Sequence, residues 1–347
     1  RILFLTEGLF LRRLLNDPQL NNVAAVVIDE FHERSLSADM ALGLCRRLRA
    51  STRPDLRLVV MSATLDAQQI ARWLGCVGMQ AEGRMYPVDV DYIAGSTDTP
   101  IWDRATSALR QWLDQDIAGD VLVFMPGTFE IRRSVERIQS LCRSRSDPVD
   151  VLPLYGGLTA QQQDRAVGPS KRRKVIVSTN VAETSITIDG IVCVIDSGLA
   201  RVARFDASRG VNSLLVERIS LASAQQRAGR AGRTAPGTCL RLWPRSEAHA
   251  RPQHDTPEVE RVDLAQAVLQ LSSLGHTAAD FDWLDQPPAA RLADAEALLR
   301  RLGALDESGT PTDHGRHMAD IPAHPRLARL LWMAAQRGVG ERAAVWA

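Results

Sequence analysis

Short apolar runs alternate with helix-patterned segments along the first quarter of the chain. The runs 22–30 and 56–64 are rich in Val, Ile and Leu, and each has the length and character of a buried strand. The segments 37–50 and 68–74 repeat apolar residues at helical spacing, and Gly75 follows the second of them. This strand–helix–strand order predicts a parallel α/β sheet.

A second and clearer alternation covers residues 101–242. The segment before it, 83–99, is rich in turn residues and predicts a crossing between domains. We predict strands at 120–125, 149–154, 174–178, 191–195 and 237–242, a hairpin with arms at 201–205 and 214–216, and helices at 101–113, 128–142, 159–166 and 223–229. After Trp243 only helical patterns follow, at 264–274, 291–302 and 327–335, and these predict a small α-rich module.

Composition narrows the class of protein. The chain has 347 residues, 45% hydrophobic and 24% charged, with a formal net charge of +1, which fits two or three globular domains without a strong overall field. Its five cysteines contain no C-x-x-C pair, so a disulfide framework or a zinc site is disfavoured and reduced thiols in the cytoplasm are expected. No apolar run reaches about 18 residues, and we expect no membrane partner.

Only two of the 42 basic residues are lysines, Lys171 and Lys174. Neither lysine follows a glycine or precedes Ser or Thr, so the sequence contains no Walker A motif, the loop that cradles nucleotide phosphates. The run 171–174 predicts a solvated basic loop. Because the sequence begins inside an apolar segment and stops inside a helical pattern, we expect it to be a fragment.

Two acidic residues, Asp29 and Glu30, lie at the carboxyl end of the first predicted strand. Ligands of parallel sheets bind at the carboxyl ends of strands. One carboxylate there is suited to hold Mg²⁺ and the other to activate a water molecule that attacks a nucleotide. An acidic pair at a strand end is also common as a structural or solvated feature, so this pair alone does not decide the function.

The segment 226–233, QRAGRAGR, places Arg227, Arg230 and Arg233 at every third position, separated by small residues. Arginine makes bidentate contacts to phosphate and stabilises charge on a transferring phosphoryl group. A solvated basic helix is the plain alternative. Two glycines within eight residues disfavour that alternative, because glycine weakens an exposed helix.

Taken together, these motifs resemble those of the superfamily 2 helicases of the DEAH/RHA type. DEFH at 29–32, SAT at 62–64, STNVAETSITIDG at 178–190 and QRAGRAGR resemble motifs II, III, V and VI, in that order. TEG at 6–8, VLVFMPGTFEI at 121–131 and LPLYGGL at 152–158 resemble further family motifs. Phe31 within motif II and WLDQPP at 283–288 are most similar to the bacterial HrpB-type ATP-dependent RNA helicases.

The resemblance implies an α/β fold of two RecA-like parallel-sheet lobes, the first one truncated, followed by a small α-rich winged-helix module. The corresponding ranges are 1–85 for the rest of lobe 1, 86–246 for lobe 2, 247–322 for the winged-helix module, and 323–347 for the start of a ratchet-like helical domain.

The resemblance also implies catalytic roles, with ATP and Mg²⁺ as cofactors. Asp29 would hold Mg²⁺ through water, and Glu30 would be the base for the attacking water. His32 and Gln226 would link the nucleotide state to the facing lobe, and Gln226 would help to position the water. Arg230 and Arg233 would be arginine fingers on the γ-phosphate, with Asp189 near the ribose or the water network. Ser62 and Thr64 would couple hydrolysis to strand movement.

The implied partner is single-stranded RNA, with DNA not excluded. Thr6 and Thr184 would contact its phosphates, which carry no sequence information. The segment 200–219 resembles the family's strand-separating hairpin, and Arg201 and Arg204 make it basic; an ordinary surface hairpin is the alternative. The sequence does not identify protein partners.

Two departures from the family pattern bear on function. Motifs I and Ia are missing, so we expect no hydrolysis by this chain alone. Val167 stands where many relatives have an aromatic residue that stacks on adenine, which predicts relaxed base selectivity. A DNA-directed translocase and a non-catalytic nucleic-acid-binding scaffold remain the alternatives.

Overall fold

The computed structural model describes residues 1–346 apart from 64–66, 82–85, 94–97, 116, 144, 146–147 and 185. The described residues group into two compact units. Unit 1 comprises Arg1–Met79, Ala203–Ser213 and Thr256–Ala347, and unit 2 comprises Gln80–Val202 and Leu214–Asp255. Most of the predicted range 1–85 and most of the predicted range 247–347 thus fall in one unit, while the four-part division itself stays a prediction.

Unit 1 combines a two-stranded parallel sheet with helices from both ends of the chain. Its N-terminal elements are α1 (Glu7–Asn16), β1 (Ala25–Ile28), α2 (Leu36–Ala50), β2 (Arg57–Val60) and α3 (Ala67–Leu74). Its C-terminal helices, numbered along the chain, are α8 (Glu258–Arg261), α9 (Ala265–Ser273), α10 (Ala289–Arg301), α11 (Asp313–Asp320), α12 (Pro325–Gln336) and α13 (Gly340–Trp346).

One apolar core joins these two groups of unit 1 helices. Leu42 and Met40 of α2 belong to the same buried cluster as Leu271 of α9 and Phe281. Gly43 permits this packing, because a Cβ at this position would lie 2.5 Å from the Phe281 ring. Phe281 in turn packs edge-on against Trp283, the first residue of the WLDQPP segment.

Unit 2 is built on a six-stranded sheet in which every neighbouring pair is parallel. Its strands are β3 (Val88–Tyr92), β4 (Asp120–Phe124), β5 (Val149–Leu154), β6 (Arg173–Ser178), β7 (Ile191–Asp196) and β10 (Gly237–Arg241). They lie in the order β3-β10-β7-β4-β6-β5. Helices α4 (Ile101–Leu113), α5 (Thr128–Arg143), α6 (Ala160–Val167) and α7 (Leu221–Gly229) complete the unit. This is the α/β fold with a parallel sheet that the sequence predicted.

Each central strand of the unit 2 sheet contributes to two cores. On one face Val121 and Val123 of β4 pack with Leu109 of α4 and Ile131 of α5. On the other face Leu122 and Phe124 pack with residues of α7 and of the 3₁₀ turn Asn180–Ala182. Strands buried on both faces have continuous apolar sequences, and for this reason the predicted ranges agree closely with the observed ones.

A hairpin of β8 (Leu199–Asp206) and β9 (Val211–Arg218) forms a separate two-stranded sheet, as predicted. Its base, 199–202 and 214–218, groups with unit 2, whereas 203–213 groups with unit 1. Within unit 1, Arg261 donates to the Ala203 carbonyl at 2.7 Å, and the Asp263 N–H donates to Asn212 Oδ1 at 2.8 Å. These bonds attach the outer half of the hairpin to the helical part of unit 1.

Three expectations need correction. The segment 83–99 contains an edge strand, β3, in which Val88, Val90 and Tyr92 are half-buried while the intervening aspartates are exposed. β1 and β2 are not buried on both faces, since Val27 and Val59 are 56% and 46% exposed. In the predicted solvated loop 171–174, Lys174 is buried and its Nζ donates to the carbonyls of Ala166 and Gly168 at 3.2 and 2.7 Å.

No helix in the described part of the chain is both long and apolar enough to cross a lipid bilayer.

Candidate functional site

A tight turn at the carboxyl end of β1 carries the first group of predicted catalytic residues. Glu30 has a left-handed backbone with φ +50°, and its N–H donates to Asp29 Oδ1 at 2.8 Å. Phe31 is fully buried, and its N–H donates to the carbonyl of Met61 beyond β2. Asp29 is exposed and Glu30 half-buried, so both carboxylates are accessible at the end of parallel strands.

His32 connects this turn to the segment that follows β2. Its side chain is 4% exposed, and Nδ1 lies 3.4 Å from Glu30 Oε2. The same nitrogen accepts a hydrogen bond from the Ala63 N–H at 3.3 Å. One imidazole therefore contacts both the predicted base and the backbone of the SAT segment. The neighbouring Ser62 Oγ is buried and has no hydrogen-bond partner among the described residues.

Arg34 fixes the far side of the turn. Its guanidinium donates to both carboxylate oxygens of Asp39, at 3.0 and 3.1 Å, and to Asp285 Oδ2 at 2.5 Å. Burial raises the pKa of Asp39, and the charge and hydrogen bonds of Arg34 oppose that rise. A bidentate pair of this kind is rigid, so the turn is held from α2 and from the 285 loop at once.

The acidic pair suits a magnesium–nucleotide complex better than a bare metal ion. Among the described residues no cluster of three or more His, Cys, Asp and Glu side chains could hold a metal. Asp29 Oδ1 is used by the Glu30 N–H, which leaves one oxygen of Asp29 and the exposed part of Glu30. Mg²⁺ keeps several waters and takes one or two carboxylates plus phosphate oxygens, which fits this donor set.

In unit 2, Arg227 lies at the centre of a buried ionic network. Its guanidinium donates to Glu183 Oε2 at 2.7 Å and to Asp196 Oδ1 at 2.9 Å, and the side chain is 1% exposed. It also donates to the Leu199 carbonyl at the base of the hairpin and lies over the Phe124 ring. Burial alone would lower the pKa of Arg227, but the two carboxylates outweigh it and raise the pKa.

The other two arginines of the motif differ in environment. Arg230 is 7% exposed, and its guanidinium donates to the carbonyls of Ile186, at 2.9 Å, and Glu183. Arg233 is exposed and donates to Thr187 Oγ1 at 2.9 Å. Helix α7 ends at Gly229, and a 3₁₀ turn carries 230–232. Two of the three arginines, Arg227 and Arg230, are buried, and Arg233 is exposed. The solvated basic helix is excluded.

A close backbone contact explains one glycine of this motif. A Cβ on Gly232 would lie 2.6 Å from the carbonyl oxygen of Tyr86, and the Tyr86 N–H donates to the Gly232 carbonyl. The turn that carries Arg230 and Arg233 is therefore pressed against the segment that leads into β3.

The remaining predicted residues are spread over both units. In unit 1, Thr6 is exposed and caps α1 by accepting from the Leu9 N–H, and Arg204 is half-buried in the hairpin. Thr64 lies outside the described residues. In unit 2, Thr184 and Gln226 are half-buried, and Asp189 is exposed in the turn before β7. Val167 is half-buried against the sheet core.

Arg201 lies beside the loop that begins α5. A Cβ on Gly127 would lie 2.6 Å from Arg201 Nε and 2.9 Å from Glu130 Oε2. The exposed side chain of Arg201 thus lies at the N-terminal end of α5, a helix of 16 residues. The first turn of this helix belongs to the VLVFMPGTFEI segment.

Comparison with known proteins shows which helicases the chain resembles. Residues 104–235 match the helicase conserved C-terminal domain. The chain is 41% identical over 335 residues, 95% of its length, to the ATP-dependent RNA helicase HrpB of Escherichia coli (strain K12). The crystal structure of the Escherichia coli DEAH/RHA helicase HrpB matches 98% of the chain with a TM-score of 0.90 and 40% identity. Over nearly its whole length, the chain is therefore similar in sequence and in fold to a DEAH/RHA helicase.

The similarity extends to a eukaryotic RNA helicase. The pre-mRNA-splicing factor ATP-dependent RNA helicase prp22 of Schizosaccharomyces pombe is 38% identical over 355 residues, 98% of the chain. The chain spans 41% of the length of HrpB and 30% of prp22, and it covers 43% of the HrpB crystal structure. The family resemblance seen in the motifs is thus confirmed.

The sequence reasoning missed the partners that hold the DEAH/RHA motifs in place. Glu183 and Asp196 neutralise Arg227, and Asp39 and Asp285 hold Arg34. Asp196 offered a signal, because it is an acidic residue at the end of an apolar strand, as Asp29 is. The pairing of Arg34 with Asp285, 251 positions later, had no local signal.

Proposed function

We propose that this chain carries the hydrolysis and coupling residues of an ATP-dependent RNA helicase that moves on single-stranded RNA. The relatives named above are ATP-dependent RNA helicases. The observation that carries the proposal is the position of His32, whose Nδ1 accepts from the Ala63 N–H and lies 3.4 Å from Glu30 Oε2. It joins the proposed catalytic base to the proposed coupling segment through one buried side chain.

The two carboxylates at the end of β1 would have different roles, one in binding Mg²⁺ and one in activating water. When bound, Mg²⁺ neutralises the charge of the β- and γ-phosphates. Asp29, exposed and already oriented by the Glu30 N–H, would bind the hydrated ion. Glu30 would take the proton of the attacking water. The tight packing of Phe31 holds the backbone of both residues, so their carboxylates are positioned before a nucleotide binds.

Within motif VI the two proposed fingers have different tasks. Arg233 has an exposed guanidinium, and we assign it the contact with the γ-phosphate. Arg230 is bonded to the carbonyls of Glu183 and Ile186, so in this conformation it orders motif V, which contains Thr184 and Asp189. Gln226, on helix α7, would orient the attacking water.

The first test uses the complete gene product and measures RNA-stimulated ATP hydrolysis. Losing an arginine finger costs roughly 10³–10⁵ in rate in related phosphoryl transfers. We expect Arg233→Ala to lower turnover by that order while leaving RNA affinity and melting temperature unchanged. Arg230→Ala should lower turnover and also the melting temperature, because two carbonyls lose their donor. Near-normal turnover of Arg233→Ala would refute the assignment.

Arginine and threonine side chains would bind the RNA backbone, with Arg201, Arg204, Thr6 and Thr184 as the contacts. The exposed Arg201 beside the start of α5 supports this best, since a helix N-terminus and a guanidinium both attract phosphate. The segment 247–322 would serve as the winged-helix module, and the cysteine usage supports a cytoplasmic location.

Two alternatives are separated by binding and stimulation assays. A DNA-directed translocase would be stimulated by single-stranded DNA at least as well as by RNA. A non-catalytic scaffold would bind RNA but show no hydrolysis in the complete gene product. The 347-residue chain itself, which has no Walker A sequence, should bind RNA without measurable hydrolysis.

A further inference from the structure

A cavity of about 400 Å³ lies within unit 1, beneath the turn of the β8–β9 hairpin. Helix α10 forms one wall, and the first turn of α12 and the segment before α9 complete it. The Phe205 ring and several aliphatic side chains give the cavity an apolar lining, and three arginines, Arg291, Arg301 and Arg326, line it as well. We call this cavity the arginine pocket.

The three arginines of the pocket are not neutralised by carboxylates. Across the part of the chain that the structure describes, none of them takes part in an ion pair within 4 Å. Arg291 Nη1 is buried and has no hydrogen-bond partner there. A buried guanidinium nitrogen without an acceptor costs free energy, so an anionic ligand at this position would be stabilising.

The two acidic residues that line the pocket do not cancel this charge. Asp263 is already engaged, because its Oδ1 accepts from the Ala265 N–H at 2.7 Å and lies 3.3 Å from His324 Nε2. Asp294 is exposed and makes no ion pair within the described ranges. Three cations against two carboxylates leave the pocket net positive, with the free donors on the arginine side.

We propose that the arginine pocket binds a phosphomonoester, with the phosphate held by Arg291 and the attached nucleoside or sugar against Phe205. Guanidinium groups match phosphate oxygens in bidentate geometry, and a dianion gains more than a carboxylate from three cations. The volume is within the range of small-ligand sites and accommodates a mononucleotide. This site is independent of the ATP-hydrolysing residues and does not rest on the proposed helicase function.

Binding at this site would act on the hairpin. Arg326 lies against the hairpin turn, since a Cβ on Gly210 would be 2.7 Å from Arg326 Nη2. A phosphate shared by Arg326 of α12 and Arg291 of α10 would therefore fix the turn to two helices. We expect the ligand to protect the 207–210 turn from proteolysis.

The test measures binding of adenosine monophosphate to the 347-residue chain by calorimetry, with adenosine as the probe that lacks the phosphate. We expect saturable binding of the monophosphate and none of adenosine. Arg291→Gln should weaken binding at least tenfold. Arg300→Gln is the matched control, because Arg300 is on the same helix and pairs with Glu296; it should bind as the unchanged protein does. Equal losses in both variants, or no binding by the unchanged protein at millimolar ligand, would overturn the proposal.

Two further arms keep the test decisive. The binding measurement is repeated with Arg326→Gln, because this exposed residue can be replaced even if Arg291→Gln does not fold. Arg326→Gln should also weaken binding of the monophosphate. Short RNA with a 5′-phosphate or a 5′-hydroxyl separates the two sources of a phosphomonoester. Tighter binding of the 5′-phosphorylated strand than of the 5′-hydroxyl strand, with the difference abolished by Arg291→Gln, identifies a strand end. Equal binding of the two strands, together with Arg291-dependent binding of the monophosphate, identifies a free nucleotide. If Arg291→Gln changes neither the preference for the 5′-phosphorylated strand nor the binding of the monophosphate, the proposal is contradicted.

Discussion

Arg227 and Arg233 show how one repeated residue type can serve opposite purposes within a motif. The sequence presents both as phosphate-binding candidates. In the structure Arg227 is enclosed by two carboxylates, and Arg233 is open to solvent. The difference arises because Glu183 and Asp196, 44 and 31 positions away from Arg227, meet its guanidinium only in the folded structure, so it could not be predicted from the local sequence.

Arg227→Met should be strongly destabilising. The substitution keeps much of the side chain volume but leaves Glu183 and Asp196 buried without their cation, and breaking a buried ionic cluster in this way costs about 3–5 kcal/mol. The free energy of unfolding, measured with urea, should fall by that amount. Arg233→Met, on the exposed side of the same motif, should change it by less than about 0.5 kcal/mol. Similar small losses in both would mean that the network adds little to stability.

At the scale of elements, the accuracy of the predictions follows burial. The strands β4, β6 and β7, buried on both faces, and the helix α4 lie within about a residue of their predicted ranges. The edge strand β3 was missed, because its alternating aspartates resemble a turn-rich segment. The short helix α11 was missed as well, since its first turn is polar and its buried face has only a few residues.

The packing of α2 makes a paired prediction for two glycines in helices. In a helix, Gly→Ala ordinarily stabilises by up to about 1 kcal/mol. Gly8→Ala in α1 should show this gain, because no atom lies within 4 Å of the new Cβ. Gly43→Ala in α2 should instead lower the free energy of unfolding by about 1–3 kcal/mol, since the methyl group would overlap Phe281. Thermal and urea unfolding of the two variants measure this difference in stability. A higher free energy of unfolding in both variants would show that the segment carrying Phe281 moves aside at little cost.

For the molecule as a whole, the apolar cores of the two units enclose four of the five cysteine thiols. Cys45 is buried in unit 1, Cys142, Cys193 and Cys239 are buried in unit 2, and Cys76 is exposed. Burial raises the pKa of Cys45 and of Cys193 to about 12. Since the thiolate is the reactive form, these thiols stay protonated and unreactive near neutral pH.

A thiol titration checks this distribution. At pH 8 an aromatic disulfide reagent should modify one thiol rapidly in the folded chain and all five after unfolding in urea. Cys76→Ser should abolish the rapid phase and leave melting behaviour unchanged. Rapid reaction of two or more thiols in the folded protein would show that a core opens readily.

The hairpin also determines how the two units could be separated into independent domains. The boundary between the two units passes through β8 and β9, so the backbone passes from one unit to the other four times. No single cut, by a protease or in a gene, releases either unit intact. However, β8 and β9 are neighbouring strands of one sheet, so a tight turn could replace residues 203–213 and link residue 202 to residue 214. A continuous chain from 80 to 255 with that shortened hairpin would be the natural route to unit 2 as an autonomous domain.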